Sequence, residues 1–159
     1  MKKKYLWTLI VIIYILFIYS NSMKAAEVSS KDSGRMLELV HGFLSTFGVN
    51  AFWLTEHVLR KMAHFTEYAL LGILLFRWLK SLGVKEDTRW FMHILAGFLV
   101  PFLDETIQLF VEGRSGQISD VWLDCAGIAF GSLFAGGIYL ICKRMEKLHV
   151  EKLPNDSGI

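Results

Sequence analysis

The sequence contains few cysteines, and their positions exclude a cysteine-based scaffold. Only Cys125 and Cys142 occur among the 159 residues. They are 17 positions apart, which on one helix separates them by roughly 25 Å, because each residue adds about 1.5 Å along the axis. A disulfide needs Cα atoms within about 7 Å. The two thiols therefore cannot pair within the chain, and neither a disulfide framework nor a cysteine zinc site is predicted.

The net charge is also small, and the distribution of the basic residues is not that of a nucleic-acid-binding protein. The formal net charge is +2, and the basic residues stand at the chain ends and between apolar blocks. Proteins that bind nucleic acids usually carry a concentrated basic surface, so no nucleic-acid partner is predicted. The chain is instead hydrophobic, with 53% of its residues of hydrophobic types and a mean hydropathy of +0.41. That is more apolar than an average soluble domain, and the lipid bilayer is the predicted partner.

Four apolar blocks carry this hydrophobicity, and each approaches the length of about 20 residues that a membrane-spanning helix needs. We predict an all-α integral membrane protein, a four-helix bundle that forms one domain over residues 1–142. The first block also resembles a secretory signal peptide, because it follows three lysines and precedes Ser20–Ser22. We favour a retained helix, since cleavage would leave only three spans. The four helices are predicted at about residues 5–20, 53–79, 90–110 and 121–142.

The connection between the first two blocks is long and polar, yet it contains apolar residues at helical spacing. Met36, Val40, Phe43 and Phe47 belong to this series. The periodicity predicts an amphipathic interfacial helix over residues 34–47, lying on the membrane surface between the first two spans.

Lysine and arginine predict the orientation, because they are enriched in short cytoplasmic segments. Basic residues gather in residues 2–4, 80–89 and 143–147. Four spans place these three segments on the same side of the membrane. We therefore expect a multi-pass protein with cytoplasmic N- and C-termini, and a charged cytoplasmic tail over residues 143–159.

The last block contains small residues four positions apart, at Gly127, Gly131 and Ala135. Such a stripe lets two membrane helices approach closely. We predict that it packs against a neighbouring helix.

Ionisable and polar residues interrupt the blocks in three places. They occupy the first half of the second block, the end of the third block and the start of the fourth. Because consecutive spans run in opposite directions, these places share the outer side of the bundle. A charge at the bilayer centre costs about 2.5–3.5 kcal/mol. These ionisable residues therefore need to pair with one another, to face water or to serve a function. The predicted cluster consists of Arg60, Lys61, His64, Glu67, Asp104, Glu105, Gln108, Arg114, Asp120 and Asp124.

The residue types leave several interpretations of the cluster open. Arg60, Lys61 and Arg114 can hold the phosphate of a lipid headgroup, with carboxylates orienting the guanidinium groups. His64 can act as a general base, although no serine or cysteine nucleophile stands beside it in the sequence. The charges can also pair off and only fix the packing of the helices.

A divalent metal ion is a further alternative. Hard oxygen ligands together with one imidazole suit such an ion, but the spacing of these residues is not diagnostic. No cofactor and no metal site is therefore predicted, and the metal stays an alternative. The residues that would supply its ligands are His64, Glu67, Asp104, Asp120 and Asp124.

Two polar stretches resemble the signatures of the VanZ-like family of membrane proteins. Residues 60–68 resemble its R-K-x-x-H-F-x-E-Y signature, and residues 104–110 begin the second signature. The second signature continues through Arg114, Asp120, Asp124, Gly127 and Gly131. The resemblance spans about residues 5–142. It implies a four-helix bacterial membrane protein. The member that names the family is linked to low-level resistance to teicoplanin, a glycopeptide that binds cell-wall precursors.

These observations lead to one preferred function and two alternatives. We expect a protein of the bacterial cell membrane whose outer-leaflet polar pocket binds a lipid or cell-wall precursor headgroup. Such binding would lower susceptibility to teicoplanin-type glycopeptides. The first alternative is a membrane enzyme that acts on an envelope lipid or precursor through His64 and a carboxylate. The second is a purely structural charge cluster.

Overall fold

The computed structural model describes residues 2–151, which form five α-helices and no strand. The all-α prediction is confirmed. Three helices, α1, α4 and α5, are long and apolar enough to cross a membrane, whereas four spans were predicted. α3 is of similar length but carries polar residues throughout its first half. The five helices are α1 Lys2–Ser22, α2 Ala26–Thr46, α3 Glu56–Ser81, α4 Glu86–Gln108 and α5 Ile118–Glu151.

Several helices extend beyond the apolar blocks that located them. α2 begins at residue 26 and not at residue 34, and α4 begins at residue 86 and not at residue 90. α5 continues through residues 143–151, which were expected to belong to a tail. The rest of that tail lies outside the described residues. Hydropathy marks only the apolar part of a helix, whereas lysine, glutamate and arginine are good helix formers that prolong it.

α3 begins later than its apolar pattern indicated, at residue 56 and not at residue 53. The preceding residue, Thr55, has an extended backbone, and its hydroxyl oxygen accepts a hydrogen bond from the Val58 amide at 3.3 Å. A threonine in this position satisfies one of the free amides of the first turn. The cap therefore sets the start of the helix that carries most of the candidate site.

α3 lies at the centre of the protein and packs against α1, α2, α4 and α5. Its most extensive contact is with α5, which runs beside it in the same direction. A Cβ atom at Gly131 would collide with the backbone carbonyl of Ala69, and one at Gly127 would lie 2.7 Å from the carbonyl oxygen of Phe65. The predicted small-residue stripe is thus the surface on which the backbones of α3 and α5 meet.

α1 crosses the other face of α3 in the opposite direction. Trp78 donates its indole N–H to the Thr8 hydroxyl at 2.8 Å near one end, and Tyr14 donates its hydroxyl to the Glu67 carbonyl at 3.0 Å near the middle. Val11 and Ile18 of α1 are buried. The core that they join also contains Tyr68, Leu71, Leu75, Val100 and Ile128.

α4 contains Pro101, whose missing N–H leaves the carbonyl of Gly97 without its partner within the helix. The thiol of Cys125 on α5 donates to that carbonyl at 3.4 Å. Tyr19 on α1 donates its hydroxyl to the Val100 carbonyl, also at 3.4 Å. The two neighbouring helices therefore provide hydrogen bonds at the point where the proline interrupts α4.

α2 joins the end of α1 to the start of α3 and buries none of its own residues. It packs on α3, and His41 Nε2 lies 3.1 Å from the carbonyl oxygen of Leu54. Its apolar side chains are exposed, among them Met36, Leu39 and Phe43. A helix thus occupies the place where an amphipathic helix was predicted.

The close approach of α3 and α5 predicts the effect of one added methyl group. Gly131→Ala should lower the free energy of unfolding by about 1–3 kcal/mol or more, because its Cβ must displace the Ala69 carbonyl. Gly137→Ala, six positions along the same helix, is the control, since no atom lies within 4 Å of its added Cβ. Thermal unfolding in detergent measures both, and equal stability of the two variants would contradict the packing described.

Candidate functional site

The polar residues predicted as one cluster do lie at one end of the helices. α3 and α5 begin there, while α1 and α4 end there. The loop of residues 109–117 and the first turns of α2 complete this end, because the Ala26 amide donates to the carbonyl of Glu112 at 3.2 Å. The opposite end carries the basic residues Arg77 and Lys80. Within the polar end, however, the predicted residues divide into separate groups.

The first group consists of His64, Asp104 and Asp124, whose facing polar atoms are buried. One ligand-type atom from each of the three lies within 4.8 Å of the other two. His64 Nδ1 is 3.8 Å from Asp124 Oδ1. Both aspartates are completely buried, with 0% exposure. Three helices therefore bring together two fully buried carboxyl groups and a partly exposed imidazole.

This buried triad, His64–Asp104–Asp124, contains polar atoms without hydrogen-bond partners. They are His64 Nδ1, Asp104 Oδ1 and both carboxyl oxygens of Asp124. Buried polar atoms are normally hydrogen-bonded, because leaving one unpaired costs about 1–3 kcal/mol. So many unpaired atoms at one point distinguish the triad from an ordinary packing contact.

Gln108 holds one side of the triad in place. Its side-chain nitrogen lies 3.3 Å from Asp104 Oδ2, 3.1 Å from Glu105 Oε1 and 3.5 Å from Ser22 Oγ. A primary amide has only two N–H groups to share among these acceptors. Asp104 is therefore positioned from its own helix and from the end of α1, while Asp124 receives no such bond.

A pocket of about 280 Å³ opens above the triad between α1, α2 and α3. His64 and Glu67 line it from α3, and Ser22 lines it from the end of α1. Three cationic side chains also line the pocket, namely those of Lys24, Arg60 and Arg114. Its remaining lining residues are Asn21, Ser29, Asp32, Ser33, Met36, Leu59 and Ala63.

Arg114 reaches the pocket from the loop between α4 and α5. Its Nε donates to the carbonyl of Lys24 at 2.9 Å, and its Nη2 donates to the carbonyl of Asn21 at 3.5 Å. Burial lowers the pKa of the Arg114 guanidinium from its ordinary value, and the nearby positive charge of Arg60 lowers it further. Within residues 2–151, neither arginine of the pocket forms an ion pair with a carboxylate. Two neighbouring unneutralised guanidinium groups favour the binding of an anion.

The remaining predicted residues have partners of their own. Glu67 accepts a hydrogen bond from Asn21 Nδ2 at 3.1 Å. Lys61 and Asp120 form an ion pair of 2.6 Å that is partly exposed, so they are not part of the triad. Glu105 Oε2 accepts the backbone amide of Gln117 at 2.9 Å and so fastens the loop to the end of α4.

The sequence interpretation missed the contribution of α1 and α2 to the pocket. Asn21 and Ser22 follow the first apolar block, where they were considered as part of a cleavage site, and Lys24 stands two residues further on. The sequence did contain a sign of this contribution. These residues form the polar end of the first span, which must leave the membrane on the same side as the cluster. The α2 residues that line the pocket carry no comparable signal in the sequence.

Comparison with known proteins identifies the family to which the chain belongs. The family model described as VanZ/LLP1 matches residues 5–142, a segment that includes every residue of the triad and of the pocket. No curated protein and no solved structure matches the chain.

Glu105 provides a test of how the loop is held. Glu105→Ala should increase the hydrogen-exchange rate of the Gln117 amide and reduce stability by about 1–3 kcal/mol, because the amide loses its carboxylate acceptor. Glu112→Ala is the control, since that side chain is exposed and only its backbone carbonyl is used. Exchange at Gln117 that is unchanged in Glu105→Ala would contradict the contact.

Proposed function

Because the chain belongs to the VanZ/LLP1 family, we propose that it is a four-span membrane protein of the bacterial cell envelope. Its polar pocket binds the phosphate-bearing headgroup of an envelope lipid or of a lipid-linked cell-wall precursor. The observation that carries this proposal is the convergence of Lys24, Arg60 and Arg114 on one pocket.

The fourth span of this proposal is α3. Two of its ionisable side chains point to other helices, since Glu67 meets Asn21 of α1 and His64 meets Asp124 of α5. Charged groups are tolerated within a bilayer when they face the interior of a bundle and find partners. The second half of α3 is apolar apart from Arg77 and Lys80 near its end, and it buries Leu71, Leu75 and Leu79. A central helix packed against α1, α4 and α5 thus spans the membrane with His64 and Glu67 facing the interior of the bundle.

The basic residues at the end opposite the pocket orient the bundle. Residues 2–4, 80–89 and 143–147 carry clustered lysines and arginines, which favour the cytoplasmic side. Both termini are then cytoplasmic, and the pocket faces the outer leaflet. α2 lies at the interface in this arrangement, with exposed Leu39 and Phe43 entering the boundary between headgroups and acyl chains.

Labelling of introduced cysteines tests this topology. In a chain whose two native cysteines are replaced by serine, Ser115→Cys should react with a membrane-impermeant maleimide in intact cells. Lys85→Cys should react only after permeabilisation, because it lies in the turn at the opposite end. Both positions are exposed. Labelling of Lys85→Cys from outside, or failure of Ser115→Cys to label from outside, would contradict the orientation.

A phosphate headgroup fits the pocket better than other envelope chemistry. Guanidinium groups bind phosphate oxygens through pairs of charge-assisted hydrogen bonds, and Arg60 and Arg114 lie close enough to influence each other's charge. Lys24 adds a third positive charge at the exposed rim. At the depth of the headgroups such a pocket recognises a lipid phosphate while the acyl chains stay in the bilayer.

Arg60 is the residue to change in a binding test, because Arg114 also holds the loop. Native mass spectrometry of the detergent-purified protein should show phosphatidylglycerol or a polyprenyl pyrophosphate retained about 10-fold less tightly by Arg60→Gln. That change corresponds to about 1.4 kcal/mol, as expected for one lost charge-assisted contact. Arg77→Gln is the matched control on the same helix, since Arg77 stacks on Trp7 at the opposite end.

Inorganic phosphate serves as the third ligand and separates a lipid site from a general anion site. Equal retention of lipid by wild type and Arg60→Gln would contradict headgroup binding, and so would a preference for free phosphate over both lipids.

The same variants extend the test to cells. Wild type should lower the susceptibility of a sensitive host to teicoplanin more than Arg60→Gln does at equal expression, because a bound precursor is withheld from the glycopeptide.

A further inference from the structure

We propose that His64, Asp104 and Asp124 bind one divalent transition-metal ion, Zn²⁺ or Mn²⁺, beneath the floor of the pocket. The starting observation is the set of buried atoms that no hydrogen bond satisfies. One nitrogen of His64, one oxygen of Asp104 and both oxygens of Asp124 belong to it. Asp124 is completely buried, and its carboxyl group lies against His64.

The distances within the triad suit a single ion. Three atoms that lie within 4.8 Å of one another can share a centre at most about 2.8 Å from each, and bonds from Zn²⁺ to nitrogen and oxygen measure roughly 2.0–2.2 Å. Each ligand atom must therefore move inward by about 0.8 Å at most, a distance that small side-chain rotations provide. The three ligands come from α3, α4 and α5, so the bound ion would join the three helices.

The donor set indicates the class of metal. Two carboxylates and one imidazole supply two hard oxygen ligands and one nitrogen ligand. An imidazole favours Zn²⁺ and similar transition ions over Mg²⁺ or Ca²⁺, whereas carboxylates also suit Mn²⁺. Three protein ligands leave at least one coordination position free, which is the pattern of an open site and not of a closed structural one.

Charge balance also favours a cation at this point. Two carboxylates buried side by side repel each other and are costly unless they are neutralised. Within residues 2–151, no lysine or arginine forms an ion pair with Asp104 or Asp124. Lys61 pairs with Asp120, and Arg114 donates to backbone carbonyls of residues 21 and 24. A divalent ion would neutralise both carboxylates and satisfy the unpartnered atoms at once.

The structure also separates these ligands from the other carboxylates at the same end. Glu67 receives a hydrogen bond from Asn21, Glu105 holds the Gln117 amide, and Asp120 pairs with Lys61. Gln108 donates to Asp104 Oδ2 and leaves Oδ1 of the same carboxyl group free. That is the usual arrangement of a metal-binding carboxylate, which is oriented by a hydrogen bond from outside the ligand set.

Metal binding to the purified full-length protein tests this proposal directly, and it does not rest on the headgroup proposal. Protein purified without chelators, in detergent and phosphate-free buffer, is stripped and then titrated with Zn²⁺ or Mn²⁺. Wild type should bind about one ion per chain, as measured by elemental analysis and by the resonance spectrum of Mn²⁺. Asp124→Asn should abolish this binding, and Gln108→Ala should weaken it about 10–100-fold.

Asp120→Asn is the matched control, because it removes a carboxylate one turn earlier on α5 and outside the triad. It should bind the ion as wild type does. X-ray absorption of the wild-type complex should show imidazole and oxygen ligands without sulfur, a result that depends on no variant. Chelation should lower the melting temperature of wild type and leave that of Asp124→Asn unchanged.

Several outcomes would overturn the metal site. Folded wild type that binds neither ion would show that the triad is neutralised by protons or water alone. Equal affinity of wild type and Asp124→Asn would place the ion elsewhere, as would sulfur in the ligand shell. Loss of lipid binding in the Arg60 variant leaves these readouts untouched, so the two proposals can fail separately.

Discussion

The contact between the backbones of α3 and α5 determines most of the structure. Glycines at positions 127 and 131 of α5 lie directly on the carbonyl groups of Phe65 and Ala69 of α3. Because the two helices run in the same direction, this contact also sets which polar residues meet. Lys61 faces Asp120 and His64 faces Asp124 at successive turns above it. A shift along this contact would separate every pair at the polar end.

The polar residues at that end perform different tasks although they are neighbours. Glu105 and Arg114 fasten the loop between α4 and α5. Lys61 and Asp120 neutralise each other at the partly exposed edge. The triad of His64, Asp104 and Asp124 retains four polar atoms without hydrogen-bond partners. It lies beside a pocket that three cationic side chains line.

The two ends of the bundle differ in a way that matches this division. At the end away from the pocket, Arg77 lies over the ring of Trp7 and Lys80 lies over the ring of Tyr139. Cations in such contacts keep their charge at the surface while their stems cover apolar area. At the pocket end the carboxylates and His64 turn inward. An apolar bundle with one basic end and one recessed polar end is suited to a fixed orientation in a membrane.

The sequence by itself determined the helical class, the family and the ten residues of the polar end. Apolar blocks and small-residue spacing are local patterns, and the two signatures name side chains directly. Only the tertiary structure decided where helices begin, as Thr55 shows, and which polar residues share a site. Distances between helices decide that Asp124 belongs to the triad while Asp120 does not. They also decide that Ser22 and Lys24 line the pocket. Those distances are set by packing, which no single segment encodes.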